Sequence, residues 1–477
     1  MNWRNNSNMK LDDFLKYEKE HDLLKYKFSN SGYCMWPYIR FQIVSYLVMG
    51  DNTAIRSSED DKLVRSSKLK ILGKLFLEYF SSIVQYKNIG RLNKSRLLFV
   101  TNDRSDIPSQ DGWYNRNLDG FADCNARDSQ IIILSDNTRH TPRRFQRFYF
   151  DVRHTLNRKV LERINSINTD DKHTAEMLIN ELKEHFPEIN DYLDNRIMPI
   201  LYRKCKGIDF DIKHIKALIK KVNPEIAIVE DGCYGYDKSI LIKTFKDNKI
   251  TVMEPQHGLI GLNHPAYNYS YSKESEYNRY LPDYYLSYGQ YWESVSRLPI
   301  KVIPVGAPNF YSNLVDGKEK KGRILIALTD YSSYWIDFVK DCLRDKKEVD
   351  IVIKAHPLST NLLDDFREFE DVEGIELCSQ GNIYDFISEA EFIMSDMSTV
   401  IFEAYCKKKK VFVYDCEQSN NFIPKEIGFR IKSYSDFKGI VDILDNSNYL
   451  FADNVDYYFN SNWRDNYTKI FTRDDSV

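Results

Sequence analysis

Along the first ninety residues, apolar positions recur at three- and four-residue spacings, the period of a helix that buries one face. Lys10 to Phe28 is charged but carries Leu11, Phe14, Leu15, Leu23, Leu24 and Tyr26, and Tyr38 to Met49 reads as a more apolar helix. A third helix, about Ser66 to Lys87, places Leu69, Leu72, Leu75, Phe76, Tyr79, Phe80 and Ile83 along one stripe. Lys62 to Arg96 holds nine Lys or Arg against one acid, Glu78. A basic amphipathic helix of this kind suits an anionic membrane surface. Packing on a core with a solvated basic face is the preferred reading.

Beyond this region the period changes. Short apolar runs at Arg96 to Thr101, Gln130 to Leu134, Glu225 to Val229 and Ile250 to Met253 alternate with helical patterns near 174–186, 209–222 and 236–247. The alternation resumes with runs at Tyr284 to Ser287, Val302 to Val305, Arg323 to Leu328, Asp350 to Lys354, Phe392 to Ser395 and Val411 to Tyr414, with helices at 332–345, 361–368, 382–389 and 398–407. Near-continuous apolar strands separated by helices signal a parallel sheet covered on both faces. The pattern predicts an α/β protein with two such units, divided between about 290 and 322, where Asp316 to Gly322 is the most polar joint. The expected organisation is a helical region at 1–95, a first Rossmann-like unit at 96–290, a second at 291–440, and a C-terminal segment at 441–477 that packs back on the first.

At roughly 100 to 200 residues per domain, 477 residues accommodate this plan. The net charge of −3 disfavours a nucleic-acid partner, which calls for a concentrated positive excess. Eight cysteines without a C-x-x-C pair predict neither a structural zinc site nor a disulfide framework. The N-terminus lacks the apolar core of a signal peptide and no apolar run is long enough to span a bilayer, so a cytoplasmic protein is expected, with the inner membrane face as an optional surface. The 14% aromatic content fits either a thick core or sugar-stacking surfaces; Tyr234 with Tyr236, and Tyr267 with Tyr269 and Tyr271, lie where rings would meet a sugar.

Open α/β sheets bind ligands beyond the carboxyl ends of their strands, so the polar residues that follow each strand are the candidates. Glu230-Asp231-Gly232 offers two adjacent carboxylates, one of which can have its pKa raised toward that of a general base; helix capping is the plainer alternative. His257-Gly258 follows the next strand, the glycine permitting a turn that other residues resist. Lys354-Ala355-His356-Pro357 ends another, the proline fixing the direction of His356 and Lys354 adding a charge within reach of a phosphate. Ser395-Asp396-Met397-Ser398-Thr399 opens a helix whose unpaired N–H groups and hydroxyls suit an anion, with Glu403 one turn on. Gly306-Ala307-Pro308-Asn309 and Thr329-Asp330-Tyr331 are further strand ends that flank a base and ribose. Asp209-Phe210-Asp211 reads as a helix cap. No phosphate loop, nucleophile elbow or metal-binding helix motif is present.

In order, Glu230-Asp231-Gly232, His356-Pro357 and Ser398-Thr399 resemble the three-motif signature of bacterial sialyltransferases that use CMP-activated sugars, which are glycosyltransferases of the two-Rossmann (GT-B) type. Transferases of capsule synthesis that use CMP-activated Kdo are similar in layout. The resemblance implies that Asp231 deprotonates the acceptor and that His356, Ser398 and Thr399 hold the CMP phosphate. His257-Gly258, Lys354-x-His356-Pro357 and Ser395-Asp396-x-Ser398-Thr399 through Glu403 also resemble CDP-glycerol and CDP-ribitol phosphotransferases of teichoic-acid synthesis, which implies His257 as base. Both span roughly residues 225–415.

The function expected is therefore transfer of a sugar from a cytidine-nucleotide donor to a hydroxyl of a glycan or lipid-linked glycan of capsule, lipopolysaccharide or lipooligosaccharide, without metal or cofactor. The alternatives are polyol-phosphate transfer, a nucleotide-sugar 2-epimerase-like protein, and a scaffold that keeps a transferase fold.

Overall fold

The computed structural model describes residues 9–50, 73, 91–102, 105–109, 112–134, 143, 145–150, 162, 166–312, 318–329, 332–345, 348–356, 359–444 and 454–471. The basic helix expected at 66–87, together with Asp330, Tyr331 and Pro357, lies outside them, Gly73 apart.

Two parallel sheets organise the chain. The first contains β1 (Leu97–Thr101), β4 (Ser129–Ile133), β5 (Arg147–Tyr149), β6 (Ile226–Val229), β7 (Thr251–Pro255), β8 (Tyr284–Ser287) and β9 (Lys301–Pro304), in the order β5-β4-β1-β6-β7-β8-β9. The second contains β10 (Lys320–Leu328), β11 (Ile351–Ala355), β12 (Ile375–Cys378), β13 (Ala390–Ser395), β14 (Lys410–Tyr414) and β15 (Phe429–Ile431), in the order β12-β11-β10-β13-β14-β15. Every pairing within either sheet is parallel. Counted within its own sheet, the second order runs 3-2-1-4-5-6, the Rossmann arrangement, and the first runs the same way with a seventh strand, β9, added at its edge. The fold is thus α/β with two Rossmann-like domains, as the strand pattern predicts. Buried runs such as Leu97–Thr101 and Ile351–Ala355 have apolar partners on both faces, which is why they show no alternation.

Three sequence expectations shift. The strand near 302–305, assigned to the second unit, pairs with β8 and closes the edge of the first sheet, so the joint follows it. Within the stretch expected as the polar joint, Lys320 to Gly322 already belongs to β10. Asp209-Phe210-Asp211 does not cap a helix but lies inside the helix Met198–Val222, where Asp211 accepts a 2.6 Å bond from buried Lys204. The antiparallel hairpin β2 (Asp106–Ser109) and β3 (Gly112–Asn115) follows β1 and matters for the site.

The helices Leu11–Glu20 and Trp36–Met49 pack into the first domain's core. Glu18 and Arg40, both fully buried, form a bidentate pair, and Arg40 also donates to the carbonyls of Pro265 and Asn268 at 2.8 Å. With its guanidinium 4.1 Å over the Tyr269 ring, the pair is satisfied on every side, the condition under which a buried ion pair is tolerated. It clamps the loop 265–269 beneath the cleft. At the other end, Asn460 donates to the Tyr288 carbonyl and Trp292 to that of Tyr458, so the C-terminal segment lies on the first domain. Gly306, at φ +119°, is required here: a Cβ would sit 2.4 Å from the Asn460 carbonyl oxygen.

Among the described residues no helix is long and apolar enough to cross a membrane. No disulfide joins any of the eight cysteines.

Candidate active site

In a Rossmann sheet the loops diverge where the strand order reverses beside the first strand, leaving a crevice at the carboxyl ends. That point lies between β1 and β6 in the first sheet and between β10 and β13 in the second. The two crevices share one cleft of about 480 Å3, lined from the first domain by Asn102, Arg116, Asp231, Tyr234 and His257, and from the second by Thr329, His356, Tyr384, Ser398, Thr399 and Glu403, with Gly306 between them. Sequence candidates from both domains therefore meet: Asp231, His257 and Gly258, Gly306 to Asn309, Thr329, His356, Ser398, Thr399 and Glu403.

On the first wall, Asp231 follows β6 in the left-handed region at φ 54°, a conformation that Asp tolerates better than most residues. Its side chain is 23% exposed. One carboxylate oxygen, Oδ2, accepts from Asn102 Nδ2 at 3.0 Å and Lys238 Nζ at 3.2 Å. The other, Oδ1, is 3.2 Å from His257 Nδ1. Burial alone would raise the Asp231 pKa, but Lys238, His257 and Asn102 together hold it well below the usual carboxylate range. The raised pKa expected of the carboxylate pair is not found at Asp231, because the Lys238 ammonium, the Asn102 amide and the His257 ring all favour its ionised form.

His257 is held between three groups. Nδ1 faces Asp231 and, at 3.4 Å, the Tyr267 hydroxyl; Nε2 lies 3.3 Å from the Tyr234 hydroxyl, which is also 3.3 Å from His264 Nε2. Beneath them Glu254 is fully buried, accepting from Cys233 N at 2.8 Å and from the Tyr267 hydroxyl at 3.0 Å. Burial pushes the Glu254 carboxyl up to about 7, and burial likewise takes His264 down to about 3. An imidazole whose Nδ1–H is directed at a carboxylate keeps Nε2 as its acceptor, here facing the Tyr234 hydroxyl on the cleft lining, the tautomer of a general base. Gly258 has no positive φ and a Cβ there would meet nothing, so the turn does not require the glycine that sequence reasoning invoked.

Glu230, also a sequence candidate, does not line the cleft. It is fully buried and accepts from the Thr101 hydroxyl at 2.6 Å, Asn102 N at 3.1 Å, Asn117 Nδ2 at 2.8 Å and the Ser105 hydroxyl. With both oxygens occupied it ties β1, the start of the hairpin and the turn after β3 to one another.

On the second wall, Ser398 is the N-cap of the helix Thr399–Cys406, its hydroxyl accepting from Val400 N at 3.2 Å. Ser398 and Thr399 line the cleft at the positive end of that helix, where backbone N–H groups lack intrahelical partners. Thr329 donates to buried Asp396, which bridges the second switch point much as Thr101 and Glu230 bridge the first. Glu403 faces the cleft, accepting from the Tyr384 hydroxyl at 3.0 Å; burial raises its pKa against the opposing pull of Tyr384, Arg116 and Lys407. Two candidates stay beneath the surface. Ser395 donates to the Ala327 carbonyl at 2.7 Å between strands, and Lys354 turns its ammonium to the Ala355 carbonyl at 3.1 Å, its pKa lowered by burial. Neither lines the cleft.

Sequence reasoning missed Asn102, Arg116, Lys238, Glu254 and Tyr384. Asn102 alone had a signal, its place directly after β1. Of the tyrosines expected to stack on sugar, Tyr267 and Tyr269 are buried and Tyr236 packs against Tyr38; only Tyr234 lines the cleft.

No family model and no curated protein matches the chain. Among solved structures, a UDP-GlcNAc 2-epimerase from Methanocaldococcus jannaschii, in complex with UDP-GlcNAc and UDP, is similar with 14% identity and a TM-score of 0.46, over 79% of this chain and 99% of that one. The UDP-GlcNAc 2-epimerase from Neisseria meningitidis bound to UDP-GlcNAc gives 12% and 0.41, over 79% and 98%. The wall teichoic acid polymerase TagF gives 12% and 0.39, over 86% and 94%. At such identities and TM-scores these likenesses assign neither family nor activity to this chain.

Proposed function

We propose that the protein is a transferase that moves an activated group from a cytidine-nucleotide donor to a hydroxyl of a surface glycan or its lipid-linked precursor, a sugar being the group transferred. The observation that carries this reading is the meeting of His257, backed by Asp231, with His356, Ser398 and Thr399 across one cleft between two Rossmann switch points.

In this reading His257 Nε2 takes the proton of the acceptor hydroxyl while Asp231 fixes the tautomer and stabilises the imidazolium. Asp231, with its lowered pKa, is a weak base and a good orienting partner. His356, Thr399 and the helix start stabilise the departing phosphate, whose charge grows as the bond to the transferred group breaks. Glu403, one turn into the helix, accepts hydrogen bonds from the ribose diol, and Gly306 and Thr329 bound the nucleoside.

A second reading, polyol-phosphate transfer from a CDP donor, draws support from the same His257, since a His before Gly is the base that its motif resemblance implies. In both readings the nucleotide is cytidine-based. A thermal-shift panel with CMP, CDP, UMP, UDP and GDP tests that point, because a ligand that binds only the native state raises its stability. Stabilisation by CMP or CDP, lost in His356→Ala, is expected; stabilisation by UDP alone sinks both readings.

A further inference from the structure

Most basic side chains around the first wall have acidic partners. Arg147 binds Asp106 at 2.6 Å and Asp119 at 2.9 Å, Arg143 reaches Asp106 at 3.3 Å, and Lys238 bonds Asp231 and the Glu230 carbonyl. Arg116 differs. Its half-buried side chain lines the cleft, and among the described residues its guanidinium makes neither an ion pair nor a hydrogen bond. Glu403, across the cleft, and Tyr288 and Tyr384 feel its charge, yet no salt bridge joins it to Glu403.

The backbone that presents this side chain is fixed with unusual care. Arg116 N donates to the Ser105 carbonyl at 3.1 Å. On either side, Asn115 N donates to Asp119 at 2.7 Å, Asn115 Nδ2 to the Thr101 hydroxyl at 2.9 Å, and the Asn115 side-chain oxygen accepts from Asn117 N and Leu118 N at 2.9 Å. Asn117 Nδ2 reaches buried Glu230 at 2.8 Å. An arginine with five donors, held on a braced turn and left without an acceptor inside a cleft, is set up for a ligand.

We infer that Arg116 is a second anion site of the cleft, binding an oxyanion group of the donor other than the phosphate held on the opposite wall. This deepens the nucleotide-donor reading and rests on it. The guanidinium fork pairs in bidentate fashion with phosphate or carboxylate, so two sources share the chemistry: the second phosphate of a diphosphate, or the carboxylate of a sugar acid linked to CMP. A donor whose transferred group is neutral and which carries a single phosphate leaves Arg116 unused.

The test is isothermal titration of the full chain, as wild type, Arg116→Ala and Arg116→Lys, with CMP, CDP, a CMP-linked sugar acid and inorganic pyrophosphate. Melting temperatures confirm that the variants fold, which is expected because the guanidinium bonds to no described residue. The wild type binds CDP or the CMP-linked sugar acid at least tenfold more tightly than CMP. In Arg116→Ala that preference disappears while CMP affinity stays within twofold, and in Arg116→Lys part of it remains. Loss of the CDP preference identifies the second phosphate, and loss of the sugar-acid preference the carboxylate. An unchanged preference in Arg116→Ala overturns the inference and leaves the donor reading standing. Wild type that ignores every cytidine ligand but binds pyrophosphate through Arg116 overturns the donor reading instead. No binding of any probe overturns both.

Discussion

On the first wall of the cleft, polar side chains hold one another: Asp231 takes Asn102, Lys238 and His257, Glu230 takes four donors, and Glu254 lies beneath Tyr267. On the second, Thr329, Ser398, Thr399, His356 and Glu403 line the cleft around a helix start, and the charged groups Lys354 and Asp396 are withdrawn beneath it. In the proposed function, the same switch point, repeated in the two sheets, serves two chemistries. A group that moves a proton needs its orientation and charge state fixed by neighbours, whereas a phosphate cradle needs donors that remain unspent until the ligand arrives. The difference lies in the residues after each strand, not in the sheets.

Four substitutions would break or sharpen this contrast. The largest effect belongs to His257→Ala, which is expected to lower turnover by roughly 10^2- to 10^4-fold, the range of general base catalysis, with donor affinity kept. Steady-state kinetics alongside calorimetry measures both, and a loss confined to affinity would move His257 to the cradle. Next, Glu230→Ala leaves several buried donors unpaired and should cost about 3 kcal/mol or more in urea unfolding. A cost under about 1 kcal/mol would show that the first wall does not depend on its internal bonds.

Glu254→Gln comes third and has a pH signature. The native carboxyl, raised from 4.5 to about 7, keeps a proton that the unfolded chain has released, so its contribution to wild-type stability declines as pH rises from about 4.5 to 7 and is flat above. The variant should gain on wild type across that window, by up to about 3 kcal/mol at pH 8. His264, lowered from 6.5 to about 3, acts in the opposite sense: the unfolded chain takes its proton first, and stability is lost as pH falls below 6.5. Urea midpoints at pH 5, 6.5 and 8 separate the two, and a pH-independent difference for Glu254→Gln would place its carboxylate in contact with solvent. The smallest effect is expected of Ser395→Ala, about 1 kcal/mol in stability from one lost bond, with turnover and donor affinity unchanged. A tenfold loss of donor affinity would bring Ser395 into the cradle.

How far the sequence reaches also differs between the walls. The strands could be read because runs such as Leu97–Thr101 and Ile351–Ala355 are nearly all apolar and buried along their whole length, and strand-end residues inherit their position from them. His257, Asp231, His356, Ser398 and Thr399 come together by that rule alone. What the rule cannot supply is direction: Glu230 and Asp231 are neighbours, yet one turns inward to accept four bonds and the other faces His257. Ser395 and Lys354 fail for the same reason, their side chains turning from the cleft to a carbonyl. Arg116 was beyond reach, because it follows a hairpin of two four-residue strands with no periodic signature. Tyr384 enters the site only through a contact with Glu403, nineteen residues away in sequence.

The division of labour is tested most directly by titrating CDP into wild type, His257→Ala and His356→Ala by calorimetry, with turnover measured on the same preparations. The account predicts that His257→Ala binds CDP as wild type does but turns over at least a hundredfold more slowly, whereas His356→Ala loses tenfold or more in affinity. Equal affinity in all three proteins, or a loss of binding in His257→Ala alone, would contradict it.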